Sequence, residues 1–301
     1  MPEMLTAGFL NLLKPPGMTS HDVVEKVRRL FPGVKAGHLG TLDPMACGVL
    51  PIALGKATRL VSYLENTDKE YRAELTLGLE SDTQDIWGQV RESGDCRFLR
   101  EENIRRAFAA FTGTITQVPP MVSAVKVQGK KLYEYARQGH EIIRPARQVR
   151  VEELRIVKIS GLGEKCCRVL FHARVSKGTY IRTLCADIGK YLGTGGLLSF
   201  LLRTRSGPFT LDQAVMLDEI SRDKIIGVLA VVEKILPVVT IDESLCNRVK
   251  HGQKIPGEAL GSMAGERVAV QDAEGNVVAV LKKIRVESKG KTFWQPEKVL
   301  V

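Results

Sequence analysis

No apolar run in this 301-residue sequence approaches the roughly 20 residues that a membrane-crossing helix needs. The opening MPEMLTAGFLNLLKPPG carries an acid where a secretory leader wants bases, and its apolar stretch runs into Lys-Pro-Pro-Gly. A cytoplasmic location is the expectation. The cysteines Cys47, Cys96, Cys166, Cys167, Cys185 and Cys246 form no CxxC pair, and no Cys/His group has zinc spacing. They read as reduced thiols, and neither a metal nor a cofactor is expected. GxxxxGK[ST], a GxGxxG after a strand, GxSxG and HExxH are all missing, so nucleotide hydrolysis, hydride transfer and zinc-peptidase chemistry lose their usual markers. No internal repeat, low-complexity tract, heptad or Gly-X-Y period runs through the chain, which excludes coiled-coil and collagen-like architectures.

Hydrophobic residues make up 44% of the chain and charged residues 26%, enough apolar material for a large core. The length suits two domains. Lys plus Arg is 44 against 34 for Asp plus Glu, a net charge of +10 that points to a polyanionic partner. The excess is spread along the chain, which speaks against a basic-tail DNA binder.

Helical and strand-like periods mix at irregular intervals, which predicts an α+β fold rather than a doubly wound parallel sheet. GFLNLL (8–13) reads as a strand. Thr19 and Asp22 fit a capping box that opens a helix through HDVVEKVRRLF. ACGVLPIAL (46–54) is a second strand, followed by a helix over about 56–65 with Ala57, Leu60, Val61 and Leu64 on one face. In KEYRAELTLGL (69–79), Tyr71, Ala73, Leu75, Leu77 and Leu79 share one strand face. Ile104, Phe108 and Phe111 mark a short helix. Two long strands are expected near 148–159 and 166–176, then a helix over about 180–192. Residues 213–236 read as helix with a break near Leu217-Asp218. Pro237 is a plausible boundary, and the residues beyond it look all-β, with a hairpin turning at Ala273-Glu274-Gly275.

The densest unusual stretch is GHLGTLDPMACGVL (37–50). Its glycines allow close backbone approach, and Pro44 biases Asp43 toward extended geometry at a loop tip. On spacing alone Asp43 is either a turn-forming residue or a catalytic carboxylate acting as nucleophile or base. Tyr71 is either a core aromatic or a ring on which a base stacks. SKGTYIRT (176–183) joins a strand to a helix and places Arg182 where it could meet a carboxylate or phosphate. Arg203 and Arg205 add two cations. Residues 117–150 look like an excursion from the core. Within it Lys126, Lys130 and Lys131, with further bases and Tyr133 and Tyr135, suit a structured RNA or a plain solvated face.

Together these blocks resemble the TruB-type tRNA pseudouridine-55 synthases of bacteria. KPPGMTSHDVV (14–24), GHLGTLDPMACGVLPIALGKATRL (37–60), YRAELTLGLESDTQDIWG (71–88) and VSKGTYIRTL (175–184) are similar to the family's motifs in order. QVPPMVSAVKVQGKKLYEYARQG (117–139) is similar to its thumb insertion, and LLRTRSGPF (201–209) to the strand after the arginine helix. Residues 238–301 resemble, more loosely, a PUA-type RNA-binding module.

The resemblance implies a pseudouridine-synthase fold, with a mostly antiparallel mixed sheet flanked by helices. It implies a catalytic domain over 1–237, a thumb near 117–150 and a PUA-like domain over 238–301. It makes Asp43 the catalytic aspartate, Tyr71 the aromatic stacking on uracil and Arg182 the cation paired with Asp43. His38, Lys14, Tyr180, Leu201, Arg203, Arg205, Lys126, Lys130 and Lys131 become the RNA-contacting set. The implied partner is the T-arm of tRNA, handled by a monomer without metal or cofactor. Leu13, Leu39, Cys47, Leu197 and Leu202 depart from the family's usual residues, and none removes the Asp, Tyr or Arg. A guide-RNA-dependent relative shares the GxLDP loop, but the long 117–150 excursion favours an enzyme that grips its own substrate. An RNA-folding protein with incidental turnover is the alternative outside enzymology.

Overall fold

The computed structural model describes residues 7–123, 126–127, 130–132, 135, 142–261, 265–286 and 291–300. Strand Lys69–Leu77 lies at the middle of a large mixed sheet, where alternation dictates which side chains face inward. Tyr71, Ala73, Leu75 and Leu77 are buried on one side, while Arg72 and Glu74 on the other are half-buried. Across the sheet the order is Ala7–Lys14, Cys47–Gly55, Gly196–Ser206, Lys69–Leu77, Cys167–Val175, Arg147–Ser160, Gly113–Gln117. Neighbours run antiparallel except Cys47–Gly55 and Gly196–Ser206, which touch in parallel at Leu202–Cys47 and Arg203–Gly48. Ala36–His38 and Phe209–Thr210 extend it.

Helices Ser20–Leu30, Glu101–Ala110 and Ile181–Leu192 pack on the Tyr71 side, through Val23, Val27, Ile104, Phe108, Leu184 and Ile188. Each such fully buried aliphatic side chain contributes about 1.5–3 kcal/mol. The first helix opens on a capping box: Thr19 Oγ1 accepts from the Asp22 N–H at 3.1 Å, and Asp22 Oδ2 from the Thr19 N–H at 2.8 Å. Each terminal donor is thereby satisfied.

The parallel contact is close. Gly48 has φ of 109°, and a Cβ built there would stand 2.3 Å from the Arg203 carbonyl oxygen. Gly48→Ala is therefore expected to lower stability by roughly 2–4 kcal/mol, read in chemical denaturation. An unchanged midpoint would contradict this packing.

The helix expected over about 56–65 is present as a 3-10 segment, Lys56–Leu60, continued by one α-turn, Val61–Leu64. Two expectations are corrected. Residues 213–236 are mostly not helical; Val228–Val232 is the one α segment described there. The apolar spacing is real, but the backbone is spent on the sheet edge. Val215 exchanges hydrogen bonds with Asn11 and Leu13, and Ile226 exchanges a pair with Phe9. The segment thus covers the edge of strand Ala7–Lys14, which would otherwise offer unpaired donors and acceptors. Beyond Pro237 the chain is not all-β. Asp242 caps a helix, Glu243–Lys250, by accepting from the Leu245 N–H at 2.9 Å.

That helix packs against a second, five-stranded sheet: Val238–Thr240, Arg267–Gln271, Val277–Val286, Lys291–Val299, Ile255–Pro256 in spatial order. Its own core gathers Cys246, Val249, Val268, Leu281 and Trp294. The Asp272–Asn276 turn joins the hairpin at the expected place, tightened by Asp272 Oδ1 accepting from the Asn276 and Glu274 N–H groups. Ala269, Val277, Val280 and Leu300 pack on Ala57, Leu60, Leu64 and Val232, which fixes the second sheet against the first part of the chain.

Candidate active site

Asp43 lies in the connection between strands Ala36–His38 and Cys47–Gly55, and the first motif clamps that connection. Lys14 is fully buried. Its Nζ donates to the carbonyls of Pro15 (2.8 Å) and Met18 (2.6 Å), and more weakly to Pro44 (3.4 Å). Burial pulls its pKa down to about 8, against the opposing charges of Cys47 and Asp43. Ser20 Oγ accepts from the Leu42 N–H at 2.8 Å and donates to the Leu42 carbonyl at 3.0 Å. The Gly17 N–H reaches the Pro44 carbonyl at 2.9 Å. The loop is thus held at residues 42 and 44, on either side of the aspartate.

Ser20→Ala leaves both Leu42 backbone groups short of a partner in a buried place. The expected result is about 1–3 kcal/mol of lost stability and a fall in kcat of roughly tenfold or more, with KM little changed. A loss confined to KM would contradict a positioning role.

The carboxylate of Asp43 is met bidentately by Arg182: Nε to Oδ2 at 2.8 Å and NH2 to Oδ1 at 3.1 Å. The Arg182 side chain is 2% exposed and that of Asp43 31% exposed, so the anion faces solvent while its cation is buried beneath it. Arg182 is fixed from behind as well. It donates to the Thr83 and Val122 carbonyls at 2.9 Å each, and NH1 lies 3.5 Å from the buried carboxylate of Asp85. Asp85 is held by the Trp87 N–H (3.0 Å) and the Thr83 hydroxyl (2.9 Å). The 84–86 segment is bonded to Leu198 on the sheet. A guanidinium gripped on several edges cannot swing, and it fixes the carboxylate's orientation.

A cavity of about 310 Å³ opens on Asp43. Tyr71, Leu201 and Arg203 line it from the sheet, and Ser176 to Ile181 from the strand-to-helix connection. Gln117 braces that connection, donating to the Tyr180 carbonyl (3.2 Å) and accepting from its N–H (3.1 Å). The Arg147 guanidinium stacks 5.0 Å over the Tyr180 ring.

Of the sequence candidates, Asp43, Tyr71, Arg182, Tyr180, Leu201 and Arg203 converge on this cavity. Several expected RNA contacts do not fit that role. Lys14 is spent on loop carbonyls in the interior. Arg203 is 1% exposed, with its donors on the carbonyls of Val49 (2.7 Å), Gly40 (3.1 Å) and Thr41 (3.5 Å). Arg205 pairs with Glu70 at 2.7 Å, and Glu70 faces the opposite side of the strand from Tyr71. In each case strand alternation or burial, invisible in a count of bases, decides. His38 sits half-buried on its short strand, paired with Ile52 and away from the cavity lining. Lys126 and Lys130–Lys131 form a two-residue ladder; their side chains, with Tyr133, lie outside the described residues.

Ser20, Thr83, Asp85 and Gln117, which the structure adds to the site with Lys69, carried no mark of their own in the sequence. Lys69 alone had a signal, since it stands two residues from Tyr71 and therefore on the same strand face. The departures from the family pattern are accommodated. Leu39 and Leu197 are buried in the apolar core, Cys47 Sγ approaches the Leu201 carbonyl at 3.5 Å, and Leu202 points away from the cavity between Leu201 and Arg203. Among the described residues no group of three or more His, Cys, Asp or Glu is placed to hold a metal ion, and no helix is long and apolar enough to cross a membrane.

Comparison with known proteins assigns the family. The family model described as "TruB family pseudouridylate synthase (N terminal domain)" matches residues 28–181, and "tRNA pseudouridylate synthase B C-terminal domain" matches residues 182–235. The chain belongs to the TruB family. It is 45% identical over 307 residues to a tRNA pseudouridine synthase B of Moorella thermoacetica, spanning 98% of this chain and 100% of that protein. The corresponding protein of Pelotomaculum thermopropionicum is 43% identical over 307 residues, spanning 97% and 96%. Among solved structures, a chain of a Cbf5-Nop10-Gar1 complex superposes with a TM-score of 0.72 at 32% identity, covering 100% of this chain and 91% of that one. A chain of an H/ACA RNP bound to a substrate RNA containing 2'-deoxyuridine gives 0.71 at 31%, covering 98% and 85%.

Proposed function

We propose that this protein isomerises uridine 55 in the T-loop of tRNA to pseudouridine, acting alone on its substrate. The observation that carries the reading is the Asp43–Arg182 pair at the mouth of a cavity walled by Tyr71 and Leu201. Asp43 lies in a cavity and not on an open surface, so the target uridine must leave its stack to reach it, at a few kcal/mol offset by stacking on Tyr71 and by cationic contacts to phosphates. Asp43 then acts on the ribose, by attack at C1′ or by removing a proton, and the N1–C1′ bond breaks. The ring turns and C5 bonds to C1′ as the Asp43–C1′ bond breaks or, on the other route, as the ribose regains its proton; the C5 proton departs and N1 gains one. Apolar walls at Leu201 and Ile181 keep water from the reacting carbon.

Residues 1–237 form the catalytic domain in this reading, with 238–301 a PUA-like module adding RNA surface. The excursion between Gln117 and Arg147, which pair across neighbouring strands, is the thumb that grips the T-arm. Stand-alone action is supported by the high identity to proteins named for tRNA. The resemblance to chains of the H/ACA RNP and Cbf5-Nop10-Gar1 complexes is lower, at 31–32% identity.

Carbodiimide-dependent reverse-transcription stops on an unmodified tRNA transcript, treated with the purified protein alone, test the proposal. A single new stop reporting position 55 is expected. Stops elsewhere, or stops that require a guide RNA, would overturn it.

A further inference from the structure

Arg203 and Lys69 are buried cations in the cavity wall. Arg203 stands on strand Gly196–Ser206 directly across from Tyr71 on strand Lys69–Leu77. Its guanidinium donates to the carbonyls of Val49, Gly40 and Thr41, and the Tyr71 hydroxyl lies close enough to favour its charge. None of these is a carboxylate. Lys69, 7% exposed, donates to the carbonyls of Glu65 and Thr67 at 2.6 Å each. A Cβ at Gly40 would lie 3.8 Å from Arg203 NH1 and 4.0 Å from Lys69 Cε, so both cations adjoin one point of the aspartate loop. The carboxylates lining the cavity are Asp43, engaged by Arg182, and Glu65.

Cations hydrogen-bonded to carbonyl dipoles, with Asp43 acting on Arg203 and Glu65 and Asp68 on Lys69 without a direct ion pair, are buried at a cost: burial pulls both groups down in pKa, Lys69 to about 8. Such a charge is useful where negative charge appears later. In the isomerisation proposed above, on which this inference rests, the N1–C1′ electron pair leaves with the ring, so the uracil becomes anionic while it lies against Tyr71. This holds whether Asp43 attacks C1′ or removes a ribose proton.

We propose that Arg203, with Lys69 behind it, positions Tyr71 and the Gly40–Thr41 segment and provides the positive potential that stabilises the departing uracil anion. Gly48 is part of this device. Only a residue without a side chain lets the aspartate strand approach the Arg203 backbone so closely.

The test is single-turnover cleavage of the N1-glycosidic bond in tRNA carrying either uridine or 5-fluorouridine at the target. Wild type is compared with Arg203→Lys and Arg203→Gln at saturating RNA. Fluorine makes the ring a better leaving group, so it needs less help. With uridine, Arg203→Gln is expected to lose about 10²–10³ in rate, with KM within a few fold of wild type. That deficit should shrink at least about tenfold with 5-fluorouridine. Arg203→Lys, which keeps the charge, should recover part of the rate, and circular dichroism melting identifies any variant that fails to fold. An equal deficit on both substrates in the folded Arg203→Gln protein would overturn the electrostatic role, and a loss confined to KM would make Arg203 an RNA contact. A wild-type protein inactive on both substrates would instead overturn the proposed function, and this inference with it.

Discussion

Asp43→Asn is expected to abolish turnover, by about 10⁴-fold or more, while tRNA affinity stays within a few fold of wild type. The amide has nearly the shape of the carboxylate but is neither a nucleophile toward C1′ nor a base toward a ribose proton. Binding should survive because the RNA-gripping surface is spread over the basic chain, whereas the chemistry rests on one group at the cavity mouth. The loop around Asp43 should keep its shape, since Lys14, Gly17 and Ser20 hold it at backbone atoms of residues 42 and 44. Single-turnover rates paired with filter-binding titrations measure both quantities. Residual turnover within about tenfold of wild type would show that another group carries the reaction.

Arg182→Ala is expected to damage both stability and rate. Its 2%-exposed side chain lies between two carboxylates, Asp43 bidentately and Asp85 at 3.5 Å. Removing it strands Asp85 in the interior without its cation, at about 3–5 kcal/mol. Asp43 at the same time loses the fork that orients it, and the rate should fall roughly 10³-fold at saturating RNA. Arg182→Lys separates the two effects. It restores a charge between the carboxylates and so much of the stability. It cannot span Asp43, Thr83 and Val122 in one plane, so the rate should remain low. Thermal melts and rates on the two variants check this. Equal loss of rate and affinity would instead mark Arg182 as a phosphate contact.

Much of this arrangement was legible before any coordinates. The capping box at Thr19–Asp22, the alternation through Tyr71 and the hairpin near Gly275 depend on local spacing, and local spacing is what a sequence displays. Asp43, Tyr71 and Arg182 stood in unusual local blocks, and resemblance gave them roles. What the sequence hid depends on partners far along the chain. Residues 213–236 carry a helical apolar spacing, but their donors and acceptors go to Phe9, Asn11 and Leu13, some 200 residues earlier. Lys14, Arg203 and Arg205 were expected as RNA contacts; two donate to buried carbonyls and the third pairs with Glu70 on the neighbouring strand. Asp85 gave no signal because its role is defined only by the arginine it supports.

Tritium release from a tRNA transcript labelled with [5-³H]uridine tests the central claim most directly, since forming the C5–C1′ bond frees the C5 hydrogen. The purified protein should release label corresponding to one uridine per tRNA, the Asp43→Asn protein should release none, and both should bind the transcript alike. Tight, salt-sensitive binding without release by the wild type would contradict the synthase assignment and leave an RNA-binding or RNA-remodelling protein in its place.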